Sequence, residues 1–142
     1  MSEQIGTFFH VGVIVEDLDA AMEEMSRSLG LEFNEPHEST YGDSHIRVCY
    51  SLQGPPYLEL IQGEPGSMWS TTGGPHADHV GYFVDDLDAS MRRLEAEGLP
   101  VDIDGTSYRK RFSYHRSTHA GLRVELIDAS RREGLLAGIK PR

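Results

Sequence analysis

The sequence predicts an α+β fold made of two tandem βαβββ modules, on the strength of three observations. First, the chain contains an internal repeat: HVGVIVEDLDAAM begins at His10, and HVGYFVDDLDASM begins 69 positions later (79 − 10) at His79. Second, each copy begins with a strand-like segment, which contains Val together with Ile or Phe, and continues into apolar residues at helical spacing. Third, three more strand-like segments, separated by Gly, Pro, Asp and Ser, follow each helix. The 142 residues therefore suggest one domain: repeat one at about 7–62, a linker at about 63–77, repeat two at about 78–128 and a tail at 129–142.

Each element of repeat one has its own signal. The first strand is predicted at about 7–15, because Val, Ile and Phe are frequent there. Asp17 is a typical helix N-cap and Gly30 a typical stop, and the residues between them that recur at helical spacing are Leu18, Met22, Met25 and Leu29. The segments LEFNEP, HIRVCYS and PYLELIQ complete the module as three predicted strands.

Repeat two has the same signals in the same order. A strand is predicted at 78–84, and a helix begins after Asp86 and ends at Gly98, with Leu87, Met91 and Leu94 on one face. The segments LPVDID, KRFSYHR and LRVELID are then predicted as strands. The tail after Asp128 is short and charged, so we expect at most a helical turn there and assign it no function.

Composition excludes several classes of partner. The formal net charge of −10 argues against binding to nucleic acid or to an anionic membrane surface. Two basic clusters, 109–111 and 131–132, are interpreted as solvated loop charge, although either can meet an anionic substrate group. The single cysteine, Cys49, excludes an internal disulfide and is predicted to be a buried hydrophobe. Without a signal-like or membrane-length apolar segment, a cytoplasmic location is expected.

Two histidines and two glutamates occupy equivalent positions in the repeats. Glu59 and Glu125 lie at the centres of YLELIQ and RVELID, 66 positions apart (125 − 59). Strand alternation turns the apolar neighbours of each glutamate toward the helices, so His10, His79 and the two glutamates should project from the other, concave face. Two converging buried carboxylates repel each other, and a divalent cation removes that conflict. The mixed nitrogen and oxygen donors favour Zn, Ni, Co, Mn or Fe over Ca or Mg, with one ion per site.

The paired segments, with LEL and VEL downstream, resemble the vicinal oxygen chelate superfamily. This superfamily includes glyoxalase I, methylmalonyl-CoA epimerase, extradiol dioxygenases and antibiotic-resistance proteins. The resemblance covers about 7–128, and EDLDAAMEEMSRSLGLEF is most similar to an epimerase-like branch. It implies a cupped mixed β-sheet with helices on its outer face, often as a homodimer. The metal ligands it implies are His10, Glu59, His79 and Glu125.

The activity that the resemblance implies is proton transfer next to a carbonyl, as an epimerase, isomerase or lyase acting on a small oxygen-chelating substrate. Glu125 is our first choice for the catalytic base, with Glu59 opposite it. Glyoxalase I is an alternative that Glu59 supports, but Ile14 and Gly63 stand where that family uses Arg and Asn to hold glutathione. An extradiol dioxygenase leaves open the coordination position that Glu59 would fill. A non-catalytic antibiotic-binding protein commonly lacks the ligands that this chain retains.

Five further side chains have no assigned role at this stage. His45 either lines the cup or faces solvent, and His76 belongs to the linker with a small chance of supporting the site. His115 and His119 are interpreted as ordinary strand and turn residues. Trp69 either forms a mobile lid over the metal or packs at a dimer interface. The repeat fits a site within one chain and a site shared between two chains equally well.

Overall fold

The structure is a computed structural model that describes residues 3–142, and it confirms the predicted α+β fold of two βαβββ modules. The first module consists of β1 (Thr7–Ile14), α1 (Leu18–Leu29), β2 (His37–Tyr41), β3 (Ser44–Tyr50) and β4 (Tyr57–Gly63). The second consists of β5 (His76–Val84), α2 (Leu87–Ala96), β6 (Val101–Asp104), β7 (Phe112–Arg116) and β8 (Arg123–Asp128). A short helix, α3 (Arg132–Gly138), follows.

All eight strands form one mixed sheet whose order makes the two modules equivalent. The order is β2-β3-β4-β1-β5-β8-β7-β6, so the modules meet where β1 pairs antiparallel with β5. In each module the first strand runs parallel to the last, β1 beside β4 and β5 beside β8. The first and last strands of both modules therefore lie together in the middle of the sheet, where the four predicted ligands reside.

The two long helices cover the outer face of the sheet. Asp17 and Asp86 cap them as predicted, each side chain accepting a hydrogen bond of 3.0 Å from the third residue beyond it. Two apolar clusters form beneath the helices, and they contain the residues that alternation assigned to this face, including Val15, Leu58, Leu60, Val124 and Leu126. Cys49 lies in the α1 cluster, where burial raises the pKa of its thiol to about 12 and keeps it an unreactive hydrophobe.

The opposite, concave face carries a separate core rich in aromatic side chains. Trp69 from the linker is only 1% exposed and belongs to this core, with its indole N–H donating to the Tyr114 hydroxyl at 3.2 Å. Its ring also packs beside Tyr41, with 5.2 Å between the ring centroids. Trp69 is therefore a core residue of its own chain, and its burial leaves almost no ring surface for the dimer contact considered for it. The mobile lid stays a prediction.

One predicted strand is displaced along the chain. The segment LEFNEP forms only an isolated bridge between Phe33 and Ser51, and β2 begins after it at His37. Pro36 has no N–H to donate to a ladder. Asn34 is buried, and its side chain accepts from the Tyr50 backbone N–H at 2.8 Å while its own backbone N–H donates to the Tyr50 carbonyl at 3.0 Å. The segment is therefore held beside the end of β3 by a few local bonds and does not form a full strand.

The linker and the tail also differ from expectation. β4 extends to Gly63 and β5 begins at His76, so both reach into the predicted linker at 63–77. The tail forms α3 and then lies against the concave core through Leu135, Leu136 and Ile139. Asn34 donates to the carbonyl of Gly138 at 2.9 Å and fixes the end of this helix. The tail is thus a packed element that covers the cup.

Candidate metal centre

Two β-bulges at the junction of β1 and β5 position the histidines. The register shifts once between Phe8 and His10 and once opposite Gly12, so that Phe9 and Asp78 are each the extra residue of a bulge. Strict alternation would place both residues on the face opposite their neighbouring histidine. The bulges bring Phe9 into contact with His10 and Asp78 into contact with His79.

The glycine of each HVG motif makes room for the histidine of the other module. His10 lies opposite Gly81 across the junction, and Gly12 lies opposite His79. A Cβ on Gly12 would come within 2.0 Å of the His79 ring, and a Cβ on Gly81 within 2.2 Å of the His10 ring. The repeated HVG motif is thus a pair of reciprocal contacts that lets the two rings meet over the sheet.

The structure brings all four predicted ligands together in a buried cluster. One ligand atom from each of His10, Glu59, His79 and Glu125 lies within 4.8 Å of the others. The Nε2 atoms of His10 and His79 are 3.0 Å apart. His10 Nε2 lies 3.2 Å from Glu59 and 3.1 Å from Glu125, and His79 Nε2 lies 3.0 and 3.4 Å from the same two carboxylates. Every donor comes from one of the four central strands.

These distances fit the edges of a coordination polyhedron. Ligand atoms about 2.1 Å from an ion are about 3.0 Å apart in an octahedron and about 3.4 Å apart in a tetrahedron. The five donor-to-donor distances above span 3.0–3.4 Å. Two imidazole nitrogens and two carboxylates are also a common donor set for divalent transition metals. The four residues therefore fit a single cation between them.

The four side chains of the cluster shift each other's pKa values. Burial disfavours a charged imidazole, but the carboxylates of Glu59 and Glu125 outweigh burial and raise the pKa of His10. The pKa of His79 is raised well above its usual value by the same balance, with an added hydrogen bond that His79 donates to Asp78. Burial raises and the histidines more strongly lower the pKa values of both glutamates. A cation held by these four side chains would compete with protons for the two histidines.

His79 is supported by a buried ion pair. Its Nδ1 lies 2.9 Å from the Asp78 carboxylate, which accepts two hydrogen bonds from Arg123 at 2.7 and 3.1 Å. Arg123 is 3% exposed and also donates to the Met68 carbonyl and to Asp102. A carboxylate on Nδ1 fixes the imidazole tautomer and leaves the Nε2 lone pair facing the cluster. Sequence reasoning missed this pair, since alternation turns Asp78 away from His79.

His10 has aromatic neighbours in place of an acid. Phe9 meets its ring edge-on with 4.7 Å between centroids, and Tyr57 packs edge-on against Phe9 at 5.7 Å. Among the described residues, 3–142, His10 Nδ1 is the one buried side-chain nitrogen or oxygen without a hydrogen-bond partner. Half of the site is therefore held by packing and half by a polar network.

The carboxylates of Glu59 and Glu125 form the floor of the cup. Tyr50 and Tyr114 stand on the β3 and β7 walls, and the cavity of about 70 Å³ also contacts Arg131 and Leu135 of the tail. Sequence reasoning assigned no function to the tail, because nothing in its pattern says that it folds back over the sheet. A larger cavity of about 590 Å³ lies on the outer face beside α1, but it contains none of the four ligands.

Of the other five histidines, only exposed His37 lines the cavity above the cluster. His45 is exposed and paired with Glu38, and His119 is exposed in a turn. His115 is buried between Ser113 and the Leu99 carbonyl, as an ordinary core histidine. His76 opens β5, and its Nε2 lies 3.6 Å from Asp78, so it touches the supporting network from its solvent side.

Comparison with known sequences identifies one family. The family model of the Glyoxalase/Bleomycin resistance protein/Dioxygenase superfamily matches residues 9–114, about three quarters of the chain. An ethylmalonyl-CoA/methylmalonyl-CoA epimerase from Cereibacter sphaeroides is 29% identical over 108 residues, covering 68% of this chain and 75% of that protein.

Solved structures share the fold. The crystal structure of methylmalonyl-CoA epimerase from Mycobacterium tuberculosis superimposes with a TM-score of 0.69 and 26% identity, covering 90% of this chain and 91% of that one. A mutant 4-hydroxymandelate synthase from Streptomyces coelicolor has a TM-score of 0.62 and 19% identity, covering 85% of this chain and 48% of that one. The latter likeness concerns the fold alone. Within residues 3–142, no helix is long and apolar enough to cross a membrane.

Proposed function

This chain belongs to the glyoxalase/bleomycin resistance protein/dioxygenase superfamily, and on that premise we propose that it is a divalent-metal-dependent enzyme that epimerises carbon next to a carbonyl. The observation that carries the proposal is the buried His10, Glu59, His79 and Glu125 cluster, with donor spacings that fit one cation. A binding protein has no need of two desolvated carboxylates that face each other, whereas acid–base chemistry uses them.

The chain's own residues supply the proton transfers. Glu125 accepts the proton from the substrate carbon, and Glu59, which stands across the junction of the modules, takes up a proton from solvent and returns it to the opposite face. Glu125 then releases its proton to solvent, which restores both carboxylates. A divalent cation held by the four donors would supply Lewis acidity for the negative charge that develops on the carbonyl oxygen. The apolar and aromatic walls of the cup keep water from the reacting carbon.

The relatives suggest a class of substrate to test first. The C. sphaeroides protein is an ethylmalonyl-CoA/methylmalonyl-CoA epimerase, so we take 2-substituted malonyl thioesters as the leading class. The native metal stays open among Zn, Ni, Co, Mn and Fe. The homodimer and the cytoplasmic location expected from the sequence stay predictions.

Two positions argue against a lactoylglutathione lyase. Ile14 is 1% exposed and lies in the concave core, and it has no charge to bind a peptide carboxylate. Gly63 lies beneath the linker, where a Cβ would come within 2.2 Å of the Trp69 carbonyl oxygen. An Asn at this position would displace the linker, so the site as built has no counterpart of either glutathione contact.

Elemental analysis tests the metal. Protein purified without chelator, or reloaded with Ni, Co, Zn or Mn, should contain about one divalent ion per chain. The double variant His10→Ala, His79→Ala should contain none, because both imidazole donors are gone. A matched control, His45→Ala with His119→Ala, removes two exposed histidines and should keep the metal. Wild-type protein that takes up none of these ions would refute the proposal.

A second experiment tests the base. Glu125→Gln should bind metal but exchange the substrate proton with deuterated solvent about 10²- to 10⁴-fold more slowly, since the amide cannot accept the proton. Exchange is followed by proton NMR on methylmalonyl-CoA and ethylmalonyl-CoA. The control Glu64→Gln alters an exposed carboxylate at the end of β4 and should leave the rate unchanged. A Glu125→Gln rate equal to wild type would remove Glu125 as the base.

A further inference from the structure

The walls of the cup include one positively charged side chain, that of Arg131. Its floor holds the Glu59 and Glu125 carboxylates, and aliphatic and aromatic side chains make up most of its walls. Arg131 is the only Lys or Arg residue that lines this cavity. The sequence had marked residues 131–132 as a basic cluster able to meet an anionic group, and the fold places one of the two arginines over the site.

The backbone around Arg131 fixes it at this position. It ends a single 3₁₀ turn, Ala129–Arg131, that follows directly on the strand bearing Glu125. The Asp128 side chain accepts from the Ser130 N–H at 2.9 Å and caps that turn. Helix α3 then begins at once, and Leu135 anchors it beside the same cavity. Arg131 is thus held between two packed elements.

The other arginines show what is unusual about this one. Arg47, Arg111, Arg116, Arg123 and Arg142 each form an ion pair with a carboxylate at 3.2 Å or less. Arg132, the neighbour of Arg131, stacks over the Phe83 ring instead. Within residues 3–142, the side chains of Arg92 and Arg109 also lack a hydrogen bond or ion pair, but both are exposed. The Arg131 side chain lacks both kinds of contact although it is half-buried. Its guanidinium is available to a ligand.

The positive charge of Arg131 affects its surroundings in the cup. Burial and the Glu125 charge raise the pKa of the Tyr41 hydroxyl, while Arg131 opposes them, so the positive charge acts inside the cup. An anionic substrate approaching a chain of net charge −10 meets repulsion from the floor carboxylates until a cation offsets it. Guanidinium groups suit carboxylates because the two form parallel hydrogen bonds.

We propose that Arg131 is the specificity-determining residue of this site and binds a carboxylate of the substrate. The proposal rests on the function proposed above: one end of the substrate reaches the floor with chelating oxygens, and its carboxylate meets Arg131. The substrate class is accordingly an acid that carries a second, carbonyl-type oxygen donor.

Two hydroxamates with the same chelating head test this proposal. Acetohydroxamate is uncharged away from its head, whereas the monohydroxamate of succinic acid adds one carboxylate. Binding to Co²⁺-loaded protein is measured by isothermal titration calorimetry. Wild-type protein should bind the carboxylated probe about tenfold more tightly than the neutral probe, the usual size of one charged hydrogen-bonded contact. Arg131→Gln should remove this preference and leave acetohydroxamate affinity unchanged.

The neighbouring arginine is the matched control. Arg132→Gln removes the same charge one residue away and should keep the preference for the carboxylated probe. A preference that survives in Arg131→Gln, or equal affinities in wild type, would overturn this inference and leave the proposed function standing. Metal-loaded wild-type protein that binds neither hydroxamate would overturn both, because the ion would then be closed to substrate oxygens.

Discussion

The two modules place the same four donors in the same way but support their histidines with opposite chemistry. Phe9 in the first module corresponds to Asp78 in the second, 69 positions on, and Tyr57 corresponds to Arg123, 66 positions on. Tyr57 lies opposite His10 on the neighbouring strand, and Arg123 lies opposite His79 in the same way. An edge-on aromatic pair in one half is an ion pair of 2.7 Å in the other.

This difference means that the two histidines are equivalent in position and unequal in electronic state. Asp78 holds the Nδ1 proton of His79, and the imidazole becomes a stronger donor through Nε2. His10 has no such partner for Nδ1, so packing alone sets its orientation. The repeat has kept the donor geometry, while the support beneath each donor has diverged.

A second correspondence shows a similar divergence above the site. Leu135 lies 66 positions after Trp69, the same offset that separates the two glutamates, and both side chains line the cavity. The linker after module one and the tail after module two thus close over the cup from equivalent places. Only the tail contributes a positively charged side chain, Arg131, to the cavity, so the two sides of the cup differ chemically.

Removing one member of the ion pair should have the largest effect on stability. In metal-free protein, Asp78→Ala leaves the buried Arg123 guanidinium without its main partner, and we expect the free energy of unfolding to fall by about 3–5 kcal/mol. The double variant Asp78→Phe, Arg123→Tyr copies module one and should lose less than about 2 kcal/mol, because an apolar pair replaces the ion pair. Urea denaturation measures both, and a double variant as unstable as the single one contradicts this account.

The glycines test where the modules are still alike. Gly12→Ala should displace the His79 ring and Gly81→Ala the His10 ring, and each should weaken metal binding on the order of 100-fold. Competition with a chromophoric chelator gives both affinities. Gly134→Ala, with nothing within 4 Å of the new Cβ, is the control and should bind as wild type does. Clearly unequal losses for the two glycines would show that the reciprocal contacts are not equivalent.

The bulge residues test where the modules differ. Asp78→Asn keeps the shape of the side chain but removes the negative charge of the carboxylate that accepts from His79 Nδ1–H. Metal affinity should therefore fall about 10- to 100-fold. Phe9→Leu changes the residue at the same place in the other module and should alter affinity less than about threefold, since no hydrogen bond is lost. The same chelator competition compares them. Equal losses would mean that Asp78 acts only by packing.

Histidine titration is the finest probe of the comparison. In metal-free protein, burial lowers and the carboxylates more strongly raise the pKa of both ligand histidines, with His79 raised further by Asp78. The stabilisation from the protonated His79 is therefore complete below about pH 6.5 and is lost as pH rises through its folded-state pKa. Asp78→Asn should move the His79 midpoint down toward that of His10. Two-dimensional ¹H–¹⁵N NMR of the imidazoles follows both rings, and an unmoved His79 midpoint would contradict the assigned contact.

Much of the fold could be predicted because the sequence contains an internal repeat, so each signal for a helix or strand occurs in both modules. Asp17 and Asp86 cap helices, and apolar residues on either side of Glu59 and Glu125 mark the buried face, all by short-range rules. The strand at LEFNEP was misplaced because the Asn34 side chain, in place of its carbonyl, accepts from the Tyr50 N–H and only an isolated bridge forms, which no propensity reveals. The packed tail was missed because its apolar residues are few and their partners lie on β-strands far away in sequence.

By itself the sequence determined the element order, the inward face of each central strand and the choice of the four candidate donor residues, since these follow from period and repeat. Tertiary structure decided which residues support the donors and what covers them. The bulges at Phe9 and Asp78 reverse the alternation that a strand pattern predicts. Arg123 and Arg131 reach the site only through sheet order and the folding back of α3. Contacts between residues far apart in sequence depend on register and closure, and a one-dimensional period carries no information about either.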